Sequence, residues 1–198
     1  MNKLITIGVI VGIGVIVGVL VIIGVILGGT YNGLVGTDNK VDKAWANVET
    51  QYQRRFDLID NLVQTVKGYA EFEQETLVKV TEARAAAFGA MKKVDENGVE
   101  QFVQANNMLG VAMRGMLGYQ EKYPDLKANK NFLELQAQLE GTENRISVSR
   151  ERYNEAVEKH NNKVEKFPTN MLANMFGFGE RDMFNSAEGA DVAPKVKF

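Results

Sequence analysis

The spacing of apolar positions changes once along this chain, and the change divides it. From Leu4 to Leu27 the apolar run is almost unbroken: 18 of 24 residues are Leu, Ile or Val, five are Gly, and Thr6 is the only polar one. As a helix this stretch is ~36 Å long, enough to cross a hydrocarbon core of about 30 Å with some tilt. A secretory signal has a shorter apolar region, typically about 7–15 residues. Residues 1–30 therefore read as a retained single-pass anchor, although Gly28-Gly29-Thr30 loosely imitates a cleavage site.

Beyond residue 30 the pattern becomes amphipathic. Val41, Trp45, Val48, Tyr52, Arg55, Ile59, Leu62 and Val66 recur in alternating steps of four and three, a helical seam with Arg55 as its one polar position. Gly68 is a plausible break. A second helix is predicted over about residues 71–93, with Phe72, Leu77, Val80, Ala83, Ala87 and Met91 inward; residues 95–98 (DENG) signal a turn. A third helix, about residues 99–123, presents Phe102, Val103, Leu109, Met113, Met116 and Leu117 and stops at Pro124. The fourth, about residues 131–166, carries Phe132, Leu135, Leu139, Ile146, Tyr153, Val157 and Val164 and closes at Phe167-Pro168. No stretch outside the anchor alternates as a strand does.

The expected fold is all-α: a transmembrane helix, then an up-down-up-down antiparallel four-helix bundle with long first and fourth helices over residues 31–168. Aligning those two helices about their midpoints sets Arg55 within a turn of Glu140 and Glu143, where the fourth seam turns small or polar at Thr142 and Ser149. A polar layer is expected there, pairing Arg54 or Arg55 with Glu140 or Glu143, and removal of both acids is expected to loosen the bundle. The run RRFDLIDNLV (54–63) holds the most specific polar set, Arg54, Arg55, Asp57 and Asn61. These residues serve either as pairs along one helix or as contacts for an anionic headgroup or a protein partner.

The composition narrows the chemistry. With no cysteine, disulfides and thiolate chemistry are excluded; one histidine, His160, cannot build a multi-histidine metal site. Val157 stands three residues before it, so the Glu-x-x-His element of di-metal bundles is missing. His160 reads as a polar residue on or near the fourth seam. Glu71, Glu73 and Glu75 read as a solvated face. A net charge of −2 gives no reason to expect nucleic acid, and no nucleotide-binding or hydrolase motif occurs in residues 31–198. No catalytic residue, metal or cofactor is expected.

Two features point to association. Gly8/Gly12, Gly14/Gly18 and Gly24/Gly28 form three GxxxG pairs on different faces of the anchor, which permits several close helix neighbours in lipid. After Pro168, Met171, Leu172, Met175, Phe176 and Phe178 form a compact apolar set within residues 169–184. That segment is a membrane-interfacial piece, a docking patch for a neighbouring subunit, or packing beneath the bundle. Residues 185–198 read as a tail.

The runs YNGLVGTDNKVDKAWANVETQYQRRFDLIDNLVQTVKGYAEFEQETLVKVTEAR (31–84), YPDLKANKNFLELQAQLEGTENRISVSRERYNEAVEKHNNKVEKFP (123–168) and NMFGF (174–178) resemble the LemA family over about residues 31–178. One departure is Asp60, where members usually carry proline; Asp60 permits a straighter first helix. The resemblance implies a single-pass membrane protein with a helical bundle and no established catalytic activity. It also implies a bundle on the cytoplasmic side, whereas Lys3 ahead of the span weakly favours a cytoplasmic N-terminus, and one branch tied to organising bacterial organelle membranes. The reading is a non-enzymatic scaffold of the bacterial envelope that self-associates, with the lipid bilayer and further copies as partners. The alternative is a monomeric membrane adaptor that recruits a protein partner in envelope stress or signalling.

Overall fold

The structure is a computed structural model that describes residues 2–68, 74–118 and 122–185, without the side chains of residues 2–6, 9, 11 and 95–97. Phe72, Glu71 and Glu73, the side chain of Lys3 and residues 186–198 of the expected tail lie outside the described residues. Among the described residues six helices follow in order: α1 (Asn2–Lys67), α2 (Gln74–Met91), α3 (Val94–Gly118), α4 (Pro124–Lys127), α5 (Lys130–Glu165) and α6 (Thr169–Phe176). Among the described residues there is no strand.

The apolar run and the heptad seam belong to one uninterrupted helix, α1, of 66 residues. The change at residue 30 is one of side-chain chemistry, and neither proline nor a capping geometry forces the backbone to stop there. α1 passes through Asp60 and ends where Gly68 turns. Pro124 differs from its expected role. α3 is described as far as Gly118, and Pro124 opens the short helix α4, at a first-turn position where its missing N–H costs nothing. The turn expected at residues 95–98 is marked by Gly98, whose φ of 72° lies in the left-handed region inside α3.

Contacts group the chain into two units, Met1–Asp42 with Ala156–Arg181, and Lys43–Glu155 with Asp182–Phe198. In the second unit the seam positions Val48, Tyr52, Ile59, Leu62 and Val66 of α1 are buried, as are Leu77, Val80, Ala87 and Met91 of α2, and Phe102, Leu109, Met113 and Met116 of α3. From α5 the buried set includes Phe132, Ile146 and Tyr153. Here α1 runs antiparallel to α2: going up α1, Glu49 meets Lys92, Phe56 meets Phe88, and Asp60 pairs with Arg84. It runs antiparallel to α5 as well, because Trp45 meets Tyr153 and Arg55 meets Glu143. Asp60 thus holds a guanidinium of α2, which also donates from Nε to the Phe56 carbonyl at 3.1 Å.

In the first unit Leu34 of α1, Val164 of α5 and Ala173 of α6 form a small core, with Phe178 packed against it. Towards the N-terminus from residue 26, every described side chain of α1 is exposed. Its apolar window has a mean hydropathy of 2.7 with none of its residues buried, so this N-terminal part of α1 is long and apolar enough to cross a membrane and takes no part in the core that the rest of α1 joins.

Candidate functional site

The polar layer forms beside the core of the second unit, at its rim. Arg55 Nη1 meets Glu143 Oε2 at 3.0 Å, and the two side chains keep 17% and 60% of their exposure. Arg54, Asp57, Asn61 and Glu140 are all exposed, and Asp57 accepts a bond from Gln53 Nε2 at 2.9 Å. Thr142 is buried and its hydroxyl donates back to the Gln138 carbonyl at 2.8 Å, so the fourth seam satisfies its own polar residue. The layer therefore does not cross the bundle. A half-solvated pair contributes about 0.2–1 kcal/mol, so replacing Glu140 and Glu143 together by alanine is expected to cost about 1 kcal/mol or less, measured by urea unfolding.

Beside that pair lies an open cavity of about 240 Å³ lined by Tyr52, Arg55, Asn106, Arg114, Glu143 and Arg150 among others. Three guanidiniums face one carboxylate there. Burial pushes the Tyr52 phenol above its ordinary pKa, with Arg150 and Arg55 pulling the other way. Asn106 is 8% exposed and donates from Nδ2 to the Phe102 carbonyl at 2.9 Å, while its Oδ1 has no partner. Chemically the cavity suits water or a small anion that brings a donor for that oxygen.

The most developed constellation is one that periodicity misses. After α6 the chain turns at Gly177, with φ of 77°, and residues 178–185 continue without helix. In the second unit Phe184 is buried among Trp45, Phe102 and Tyr153, with centroids 6.0, 6.4 and 5.4 Å away, and the Arg150 guanidinium lies 4.6 Å from its ring centre. Asn154 clasps the backbone of that phenylalanine: its Nδ2 donates to the Phe184 carbonyl and its Oδ1 accepts from the Phe184 N–H, both at 2.8 Å. Tyr153 donates to the Asp182 carbonyl at 3.1 Å and Arg150 to the Asn185 carbonyl at 3.3 Å.

The first unit repeats the device. Asn161 donates to the Arg181 carbonyl and accepts from the Arg181 N–H, both at 2.9 Å. His160 is fully buried, with Nε2 3.0 Å from the Gly179 carbonyl and Nδ1 3.2 Å from the Thr37 hydroxyl. Arg181 bonds Asp38 at 3.0 Å and Asp42 at 3.3 Å. His160 thus sits on the fourth seam, engaged through both ring nitrogens.

The glycines expected to mediate association lie on open helix. A methyl group added at Gly8, Gly12, Gly14, Gly18, Gly24 or Gly28 would meet nothing within 4 Å. The apolar set after Pro168 divides. Met171, Met175 and Phe176 are exposed, Leu172 and Phe178 are half-buried, and Phe178 packs inward.

Comparison with known proteins follows the same division of the chain. A family model described as the LemA family matches residues 44–198, which includes Arg55, Glu143, Asn154 and Phe184 and leaves out the apolar run. Protein LemA of Metamycoplasma hominis is 27% identical over 161 residues, 81% of this chain and 71% of its own length. Magnetosome protein MamQ 2 of Paramagnetospirillum magneticum is 26% identical over 182 residues, 82% of this chain and 67% of its own length. Magnetosome protein MamQ of Magnetospirillum gryphiswaldense is 22% identical over 189 residues, 84% of this chain and 70% of its own length.

Proposed function

The chain belongs to the LemA family, and from that premise we propose that it is a non-enzymatic, membrane-anchored helical-bundle protein that self-associates into a homo-oligomeric scaffold. In this reading residues 1–30 are the anchor. The rest of α1 forms an up-down-up-down bundle with α2, α3 and α5, in keeping with the antiparallel contacts α1 makes with α2 and α5. The observation that carries the reading is the bare surface of the anchor. Six glycines in three GxxxG pairs face open space on separate sides of a helix that the described residues leave uncovered. In lipid, association depends on close backbone approach, and small residues permit it. Polar residues elsewhere pair within the bundle, as Arg55 does with Glu143, which supports a structural role over a catalytic one.

The test is mass in mild detergent. The full chain is expected to run as a discrete assembly of several 22.0 kDa subunits. Gly12→Leu with Gly18→Leu is expected to reduce that assembly while leaving bundle unfolding unchanged, because neither position touches the chain's own side chains. A strictly monomeric wild-type chain would overturn self-association and favour an adaptor that recruits a protein partner.

A further inference from the structure

α6 is eight residues long, TNMLANMF, and carries no charge. One side of it is occupied. Ala173 is buried against Leu34 and Val164, and the Tyr31 ring meets Phe176 and Phe178 edge-on at 5.0 and 5.9 Å. The remaining side is bare and mostly apolar, with Asn174 its polar member: Met171 and Met175 are 66% and 64% exposed, and Phe167, just before the helix, is 79% exposed. Large apolar side chains gathered on one short helix call for an occupant.

The depth of α6 identifies that occupant. The last aliphatic residue of the anchor is Leu27, and Tyr31 stands four residues further along the same helix, about 6 Å at 1.5 Å per residue. The polar margin of a bilayer is roughly 5–7 Å deep on each side. Tyr31 therefore stands at headgroup level when the apolar run fills the hydrocarbon, the level at which tyrosine rings are enriched in membrane proteins. α6 packs on Tyr31 through Phe176 and on Leu34, one turn further along α1, through Ala173, so it spans that level and the turn just beyond it. Lys166 is exposed immediately before Phe167, and Lys163 reaches over Gly33, so cationic heads flank the bare apolar side chains. A charge-free helix flanked by lysines at this depth has the make-up of an interfacial element.

We propose that Phe167 and α6 form a foot that seats Met171 and Met175 in the headgroup–acyl boundary of the bilayer that α1 crosses. The bare face continues a surface already turned to lipid, which favours a bilayer over a second copy as its occupant. The inference rests on the reading of residues 4–27 as a span, so its test must separate the two.

The chain has no cysteine, which allows single-cysteine variants carrying an environment-sensitive fluorophore. Met171→Cys and Met175→Cys replace exposed side chains, Val17→Cys reports on the span, and Val148→Cys, 44% exposed on α5, is the reference position in the second unit. The full chain goes into nanodiscs of phosphatidylcholine and phosphatidylglycerol at one copy per disc, some with nitroxide-bearing acyl chains. Labels at 171 and 175 are expected to be quenched by the lipid nitroxide several-fold more than the label at 148, and to be shielded from a water-soluble quencher. Aqueous quenching equal to that at 148 would overturn the foot while quenching at 17 leaves the span intact. Shielding that appears only in discs with two or more copies would assign the face to a second subunit and overturn the foot as well. A label at 17 that ignores the lipid nitroxide would overturn the span, and the foot with it.

Discussion

Phe184→Ala should lower the unfolding free energy of the bundle by about 3–5 kcal/mol, the cost of truncating a fully enclosed phenylalanine. The side chain is 4% exposed and sits among three other rings, so alanine would leave a cavity between them. Its loss also takes away the ring face on which the Arg150 guanidinium rests, a contact worth about 0.5–2 kcal/mol in its own right. Phe184→Leu keeps most of the volume and should cost about half as much or less. The neighbouring Met183 is 36% exposed, so Met183→Ala should change little. Trp45, the one tryptophan, stacks on Phe184 and reports the event directly: its emission should shift in the folded state of the alanine variant, and urea unfolding followed at that signal should give the loss in stability. Equal stability of Phe184→Ala and Met183→Ala would show that the residues after α6 do not belong to the bundle core.

Why the core of α1 was legible in the sequence and Phe184 was not comes down to periodicity. Val41, Val48, Tyr52, Ile59, Leu62 and Val66 fall at heptad spacing because one helix must turn one stripe inward over its whole length, and all six are buried. Phe56 escaped the same pattern although it is fully buried, since it lies beside the stripe. There it meets Phe88 and Arg84 of α2, so α1 packs on more than one neighbour and needs a wider apolar face than two positions in seven. Phe184 has no period at all. It is a lone aromatic in a non-helical run, held by backbone bonds to Asn154, which looks in the sequence like an ordinary solvent-facing residue of α5, as does Asn161. Asn154 and Asn161 are seven residues apart, which puts them on one face of that helix. Only the chain that lies along them shows what they are for.

The pattern of tyrosines shows the same limit from another side. Tyr31 meets Phe176 and Phe178, and Tyr153 meets Phe184, so a tyrosine in each unit holds an aromatic residue of the C-terminal stretch. In the linear sequence nothing ties these partners together, because the contacts span 29 residues or more and follow from the return path of the chain after Pro168. The Arg55–Glu143 pair was within reach of the sequence because two long antiparallel helices fix their own register. Its position at the rim was not, since exposure depends on how deeply the flanking seam residues interdigitate.

Asn154→Leu should cost about 2–4 kcal/mol, although it replaces one half-buried side chain by another of similar size and greater apolarity. The cost lies in the backbone left behind. The Phe184 N–H and carbonyl are both satisfied by the Asn154 amide, and their residue is buried, so leucine strands a donor and an acceptor at about 1–3 kcal/mol each, less whatever water reaches them. Asn154→Asp separates the two bonds: the carboxylate still accepts from the Phe184 N–H but faces the carbonyl with no donor, so it should recover part of the loss. Asn161→Leu removes the equivalent pair from Arg181, but Arg181 is only half-buried and keeps its bonds to Asp38 and Asp42, so its effect should be the smaller of the two. Urea unfolding ranks the three variants. Amide hydrogen exchange at Phe184 then localises the change, with protection expected to fall sharply in Asn154→Leu while that of buried α2 amides such as Val80 falls only by the amount of global destabilisation. If Asn154→Leu unfolds like the wild type, the amide clasp contributes nothing, and Phe184 is held by its ring contacts alone.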